Sequence, residues 1–222
     1  MQDYSATLSR VEDYFDRSAT KVWERLTSDA PVSRIRQTVR EGRDRMRAIM
    51  LSRLPADLRG CRVLDAGCGT GLMTAELAAR GADVVAVDIS PQLIAIAEAR
   101  LTEDLRPRVT FAAGDMTSPA LGRFDFVMAM DSLIYYRTAD IAAALGKLAD
   151  RTAGHITFTV APRTPFLMTF FTIGKAFPRA DRSPTMIPQD WRAIARHTGG
   201  DLGRVERVSR GFYISECLEY RA

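Results

Sequence analysis

Cysteine is scarce in this chain, and so is lysine. The three cysteines, Cys61, Cys68 and Cys217, are odd in number and widely spaced. They form no C-x-x-C pair and no cluster with the two histidines. That pattern excludes a disulfide framework and a structural zinc site, and it suits a reducing compartment. No window approaches the roughly 18 apolar residues of a membrane-spanning helix. The first residues, MQDYSATLSRVEDYFDRS, are charged throughout and lack an apolar core, so no secretory leader is expected. Internal repeats and low-complexity runs are also missing. The 222 residues, 46% hydrophobic and 26% charged, fit one domain with extensions. The net charge is +4, carried almost wholly by arginine. Either base composition set that choice, or anionic ligands did, since guanidinium groups grip carboxylates and phosphates in bidentate fashion. The excess is too small to argue for nucleic acid.

Three regions follow along the chain. In VEDYFDRSATKVWERL, Val11, Tyr14, Phe15, Val22, Trp23 and Leu26 fall near one helical face. A second helix is expected from about Pro31 to Leu54, with Val32, Ile35, Val39, Met46, Ile49 and Met50 as its apolar stripe. Residues 1–54 therefore read as a helical arm or cap, and 55–222 as the main domain. Within that domain, RVLDAG, DVVAVD, RVTFAAGD, FDFVMAMD and GHITFTV alternate with helical patterns. Apolar runs without strict alternation suit strands buried on both faces, and the strand–helix rhythm predicts a doubly wound parallel sheet. Residues 161–187 break the rhythm with prolines. A helix in PQDWRAIARHTGG follows, and VERVSR and FYISECLEYR then read as an antiparallel pair at the sheet's edge.

VLDAGCGTG follows the first strand and opens a helix. Gly67, Gly69 and Gly71 permit a tight turn and close backbone approach to a ligand. The spacing is G-x-G-x-G, not the dinucleotide G-x-G-x-x-G, and Asp65 stands just before it. An acid there repels a pyrophosphate and welcomes a cation. Asp88 ends the second strand, 17 residues after Gly71, where a carboxylate can take two ribose hydroxyls. Asp115 ends the third, and Met130 and Asp131 the fourth. Capping of the following helices would explain each acid singly but not the series.

D-x-G-C-G-T-G with acids at successive strand ends resembles the class I S-adenosylmethionine-dependent methyltransferases. The resemblance implies a Rossmann-like, mostly parallel seven-stranded α/β sheet with an antiparallel C-terminal strand. It also implies that Asp65 and the glycine loop hold the amino-acid part of S-adenosylmethionine, Asp88 the ribose, Ile89, Asp115 and Met116 the adenine, and that Met130 lies near the methyl group.

The acceptor must be named by the flanks. FLMTFFTIGKAF, between Pro165 and Pro178, should roof the carboxyl ends of the strands. Such an apolar segment suits a flat hydrophobic acceptor, or it packs on the core or a second copy; it does not suit nucleic acid. YFDRSATKVWERL, VSRIRQTVREGRDRM, AMDSLIYY, APRTP and GFYISECLEYR are similar to the magnesium-protoporphyrin IX O-methyltransferases of chlorophyll and bacteriochlorophyll synthesis. This resemblance spans nearly the whole chain. It implies methylation of a ring propionate, with Tyr14 and Tyr135 orienting it and Arg163, Phe166 and Phe170 contacting the porphyrin. Tyr135 stands where some members carry His, which favours hydrogen bonding over proton transfer. No protein metal site is expected; magnesium arrives inside the substrate. The resemblance further implies a cytoplasmic protein in contact with the large subunit of magnesium chelatase and at most peripheral to a photosynthetic membrane. A quinone or other small hydrophobic acceptor is the alternative.

Overall fold

The computed structural model describes residues 4–14, 27, 33–165, 167–169 and 186–222. Five strands run parallel: β1 (Arg62–Ala66), β2 (Asp83–Asp88), β3 (Val109–Ala113), β4 (Phe124–Ala129) and β5 (Thr152–Val160). Two more, β6 (Asp201–Arg210) and β7 (Tyr213–Arg221), complete a sheet ordered β3-β2-β1-β4-β5-β7-β6. β7 is antiparallel to both β5 and β6. The chain steps outward from β1 to β3, then returns to add β4 on the other side of β1. A crevice therefore opens between the carboxyl ends of β1 and β4, where ligands of doubly wound sheets bind.

The apolar runs bury both faces of the sheet. Along β1, Val63 joins one core cluster and Leu64 the other, as a strand's alternation requires. Leu64, Val127, Ile156 and Phe158 pack with α5 (Thr138–Ala149) through Ile141, Leu145 and Leu148. On the opposite face Val63, Val84 and Met128 pack with α2 (Arg34–Leu51) and α3 (Leu72–Ala79). Burying a side chain the size of Phe158, fully enclosed here, is worth about 1.5–3 kcal/mol. Further α-helices among the described residues include α1 (Tyr4–Tyr14), α4 (Pro91–Arg100) and α6 (Trp191–Ala195).

Several boundaries differ from the sequence expectation. α1 begins at Tyr4, seven residues before Val11, because Tyr4, Leu8 and Val11 already form a stripe against the core. Phe15, Val22, Trp23 and Leu26 lie outside the described residues. α2 starts at Arg34, capped by the Ser33 hydroxyl, which accepts from the Arg36 N–H. Ile35, expected on the buried stripe, is 57% exposed. α2 packs on β6 and β7, and Gly42 makes that approach possible: a Cβ there would press into the Tyr213 ring at 2.6 Å. α6 is short, capped by Asp190, and β6 starts directly after the glycine pair. His155 is buried within β5, and burial holds its pKa below the ordinary value, so it is a neutral packing residue. Cys68 and Cys217 are buried thiols, and all three cysteines are free.

Candidate active site

A cleft open to solvent sits at the switch point between β1 and β4. Asp65, Gly67, Gly69, Asp88, Ile89, Met116, Met130 and Tyr135 all line it, so eight residues singled out in the sequence converge on one space.

Asp65 is 1% exposed, and its Oδ2 accepts a 2.6 Å hydrogen bond from the Thr74 hydroxyl. Burial pushes its pKa up to about 7 against that bond, with the Asp88 charge adding to the rise. Glycine is required in the loop that follows. Gly67 has φ +81, and a Cβ on it would run into the Ser132 side chain. The Gly67 and Cys68 N–H groups both donate to the Val87 carbonyl, at 2.7 and 2.9 Å, which ties the loop to β2. Gly71, also left-handed at φ +83, caps α3. The Asp88 Oδ2 accepts from the Gly69 N–H at 2.8 Å and its Oδ1 from the Ser90 N–H at 3.0 Å.

Asp115 stands beside this cleft, between the lining residues Gly114 and Met116. Its Oδ1 accepts from the Thr117 N–H at 2.7 Å and from the Tyr4 hydroxyl at 2.9 Å; the Thr117 hydroxyl donates to Oδ2 at 3.0 Å. The Tyr4 ring stacks on Tyr136 with centroids 5.0 Å apart. α1 thus docks on the cleft, and Leu8 and Val11 line it.

Tyr135 is buried. Burial first, then the charge of Asp131 and the proximity of Tyr14, raises its hydroxyl pKa, so it remains a donor at neutral pH. Tyr14 is half-buried against the same core. Arg163 is exposed after β5, with its N–H donating to the Gln189 carbonyl, and is not among the cleft-lining residues. Phe166 and Phe170, with most of the insert, lie outside the described residues.

The structure surrounds the strand-end acid Asp131 with partners that the sequence did not flag, and it adds further groups. Asp131 has φ +55, uncommon for a non-glycine residue and a frequent mark of functional sites. Its carboxylate accepts from Arg43 at 2.6 Å, from the Tyr213 hydroxyl at 3.2 Å and from the Thr159 hydroxyl at 3.0 Å. Those partners come from α2, β7 and β5, so no local motif could reveal the set. Arg43 and Arg47 both line the cleft from α2. Ser132 Oγ, also lining it, is buried with no hydrogen-bond partner among the described residues. The described residues contain no cluster of three or more His, Cys, Asp or Glu able to hold a metal ion.

The arrangement can hold a ligand with a cationic end near Asp65 and vicinal hydroxyls near Asp88. Comparison with known proteins agrees with it. Residues 63–153 match a methyltransferase domain, and residues 129–222 match the C-terminal model of magnesium-protoporphyrin IX methyltransferases. A magnesium-protoporphyrin O-methyltransferase of Rhodobacter capsulatus is 64% identical over 99% of this chain and 98% of its own. The enzyme of the same name from Synechocystis sp. is 31% identical over 94% of both chains. The crystal structure of magnesium protoporphyrin IX methyltransferase from Synechocystis PCC 6803 with bound SAH superposes with a TM-score of 0.80 and 28% identity, covering 96% of this chain and 99% of that one. Sheet order, glycine loop, strand-end acids and near-full-length similarity lead to one conclusion: the chain belongs to the magnesium-protoporphyrin IX methyltransferase family.

Proposed function

We propose that this protein transfers a methyl group from S-adenosylmethionine to a propionate carboxylate of magnesium protoporphyrin IX, giving the monomethyl ester. The observation that carries the reading is the match to the Rhodobacter capsulatus enzyme, which runs through the cofactor loop and the acceptor-side flanks alike. The cleft fits the donor on its own chemistry. Two carboxylates suit a cationic amino-acid end, the Gly69 backbone, with open space where a Cβ would stand, admits close approach, and Ser132 Oγ needs a partner.

The donor supplies an electrophilic methyl group on a sulfonium. Asp65 and Gly67, Gly69 and Gly71 hold its amino-acid end, Asp88 the ribose hydroxyls, and Ile89, Asp115 and Met116 the adenine, with Met130 beside the methyl. A propionate has a pKa near that of Glu, about 4.3, so it is ionised and needs no general base. The protein's work is orientation and desolvation. Tyr135, kept protonated by burial, and Tyr14 donate to the propionate without the full neutralisation an arginine would impose. Residues 1–54 clasp the porphyrin from one side and the 161–187 insert from the other, with Arg163, Phe166 and Phe170 as its contacts. Among the described residues no helix is long and apolar enough to cross a membrane. A cytoplasmic location with peripheral membrane contact, and delivery of substrate by the large subunit of magnesium chelatase, complete the proposal.

The test is direct. The purified protein is incubated with S-adenosylmethionine and magnesium protoporphyrin IX, beside a metal-free control, and the porphyrin is weighed by mass spectrometry. One added methyl group supports the reading. No product, with donor still bound, would return the search to quinones and other small hydrophobic acceptors.

A further inference from the structure

Charge is divided within the cleft. The strand ends contribute Asp65, Asp88 and Asp131, while α2 contributes Arg43 and Arg47. These two arginines are one turn apart on the same helical face, a like-charge spacing that weakens a helix. Arg43 is engaged by Asp131 at 2.6 Å. Arg47 is held differently. Its side chain is only 16% exposed, yet its hydrogen-bonded partner among the described residues is Asp44, which is 50% exposed and takes one Nη2 bond at 2.8 Å. A little-exposed guanidinium is costly unless anions complete it, and among the described residues this one has a single bond to an exposed carboxylate while it lines the cleft. Arg47 lines the same cleft as Gly67, Cys68 and Gly69 of the glycine loop.

We infer that Arg47 is the carboxylate-binding residue of this cleft. The inference rests on reading the cleft as the site of methyl transfer, in which both reactants carry carboxylates. One is the α-carboxylate of the donor's amino-acid end, which Asp65 and Asp88 would repel. The other is the acceptor's non-reacting propionate. Asp131 restrains Arg43, so the reacting propionate is not over-stabilised.

Titration calorimetry with S-adenosylhomocysteine, and KM for magnesium protoporphyrin IX, are measured on wild type, Arg47→Gln and Arg47→Lys. Failure of the wild type to bind S-adenosylhomocysteine would refute the reading of the site before any variant is compared. Loss of one charged hydrogen-bonded pair predicts a roughly 10- to 100-fold effect in Arg47→Gln. A weakened Kd with unchanged porphyrin KM assigns the donor's carboxylate; a raised KM with unchanged Kd assigns the propionate. Arg47→Lys, which keeps charge but not the planar fork, should recover part of the loss. Unchanged Kd and KM in an Arg47→Gln protein that melts like wild type overturn the inference. If that variant does not fold, unchanged constants in a folded Arg47→Met overturn it.

Discussion

Asp65 makes ligand binding a pH-dependent event. In the empty protein its pKa stands at about 7, because burial disfavours the charge more than the Thr74 bond supports it. A cationic ligand reverses that preference and drives the proton off. If binding needs the ionised carboxylate, the apparent Kd scales as one plus the ratio of protonated to ionised Asp65. For a pKa of about 7 this factor is about 11 at pH 6, about 2 at pH 7 and close to 1 at pH 8. The affinity for S-adenosylhomocysteine should therefore tighten about tenfold from pH 6 to pH 8, with roughly half a proton released at pH 7. Calorimetry in buffers of different ionisation enthalpy measures both. Asp65→Asn should bind weakly with a flat pH profile. Its stability should move the other way. The unfolded carboxyl titrates near its usual 3.8 and the folded one near 7, so between these values the folded state holds more protons. This group's contribution to stability falls as pH rises through that window and is constant above it. Without ligand, Asp65→Asn should melt higher than wild type at pH 8 and about equally at pH 4. A change below twofold in Kd between pH 6 and 8, with no buffer-dependent heat, would refute the reasoning.

Three further outcomes are expected. Asp88→Ala should weaken S-adenosylhomocysteine binding by well over tenfold, because it removes the proposed ribose contact and leaves the Gly69 and Ser90 N–H groups without their acceptor, at about 1–3 kcal/mol each; calorimetry showing wild-type affinity would remove the ribose assignment. Tyr14→Phe should lower kcat roughly tenfold with Kd for S-adenosylhomocysteine unchanged, and full turnover would make Tyr14 a packing residue. Gly67→Ala should cost about 1–3 kcal/mol of stability in a denaturant titration and abolish cofactor binding, since the residue is left-handed and its Cβ meets Ser132.

The central parallel strands were legible because they are buried on both faces, and the apolar runs in RVLDA and DVVAVD announce that, whereas β3 at the edge is only partly buried. The acids at their ends were legible because each strand end is a fixed address in a doubly wound sheet. α1 was read too late in the chain: Tyr4, Leu8 and Val11 carry the helical spacing, but the charged residues between them hid it. Ile35 misled because the stripe of α2 turns inward only past its first turn. The Asp131 network was illegible for a different reason. Arg43, Thr159 and Tyr213 meet it from positions up to 88 residues away, and nothing local in any of the four elements anticipates the meeting. The same is true of Arg47, which in sequence is one arginine among many.

β7 lies between β5 and β6, although it follows both in the chain. Until it forms, β6 has no strand to join and β5 keeps an unpaired edge. The two must dock as one hairpin, a contact of long sequence separation and hence a slow step. The inner face of α2 waits for the same event, since Met46, Ile49 and Met50 share their cluster with Val208, Tyr213 and Cys217. α2 also carries Arg43 and Arg47. The basic wall of the cleft is therefore assembled by the arrival of a hairpin more than 150 residues downstream, so a chain that has not closed its sheet cannot present a finished site.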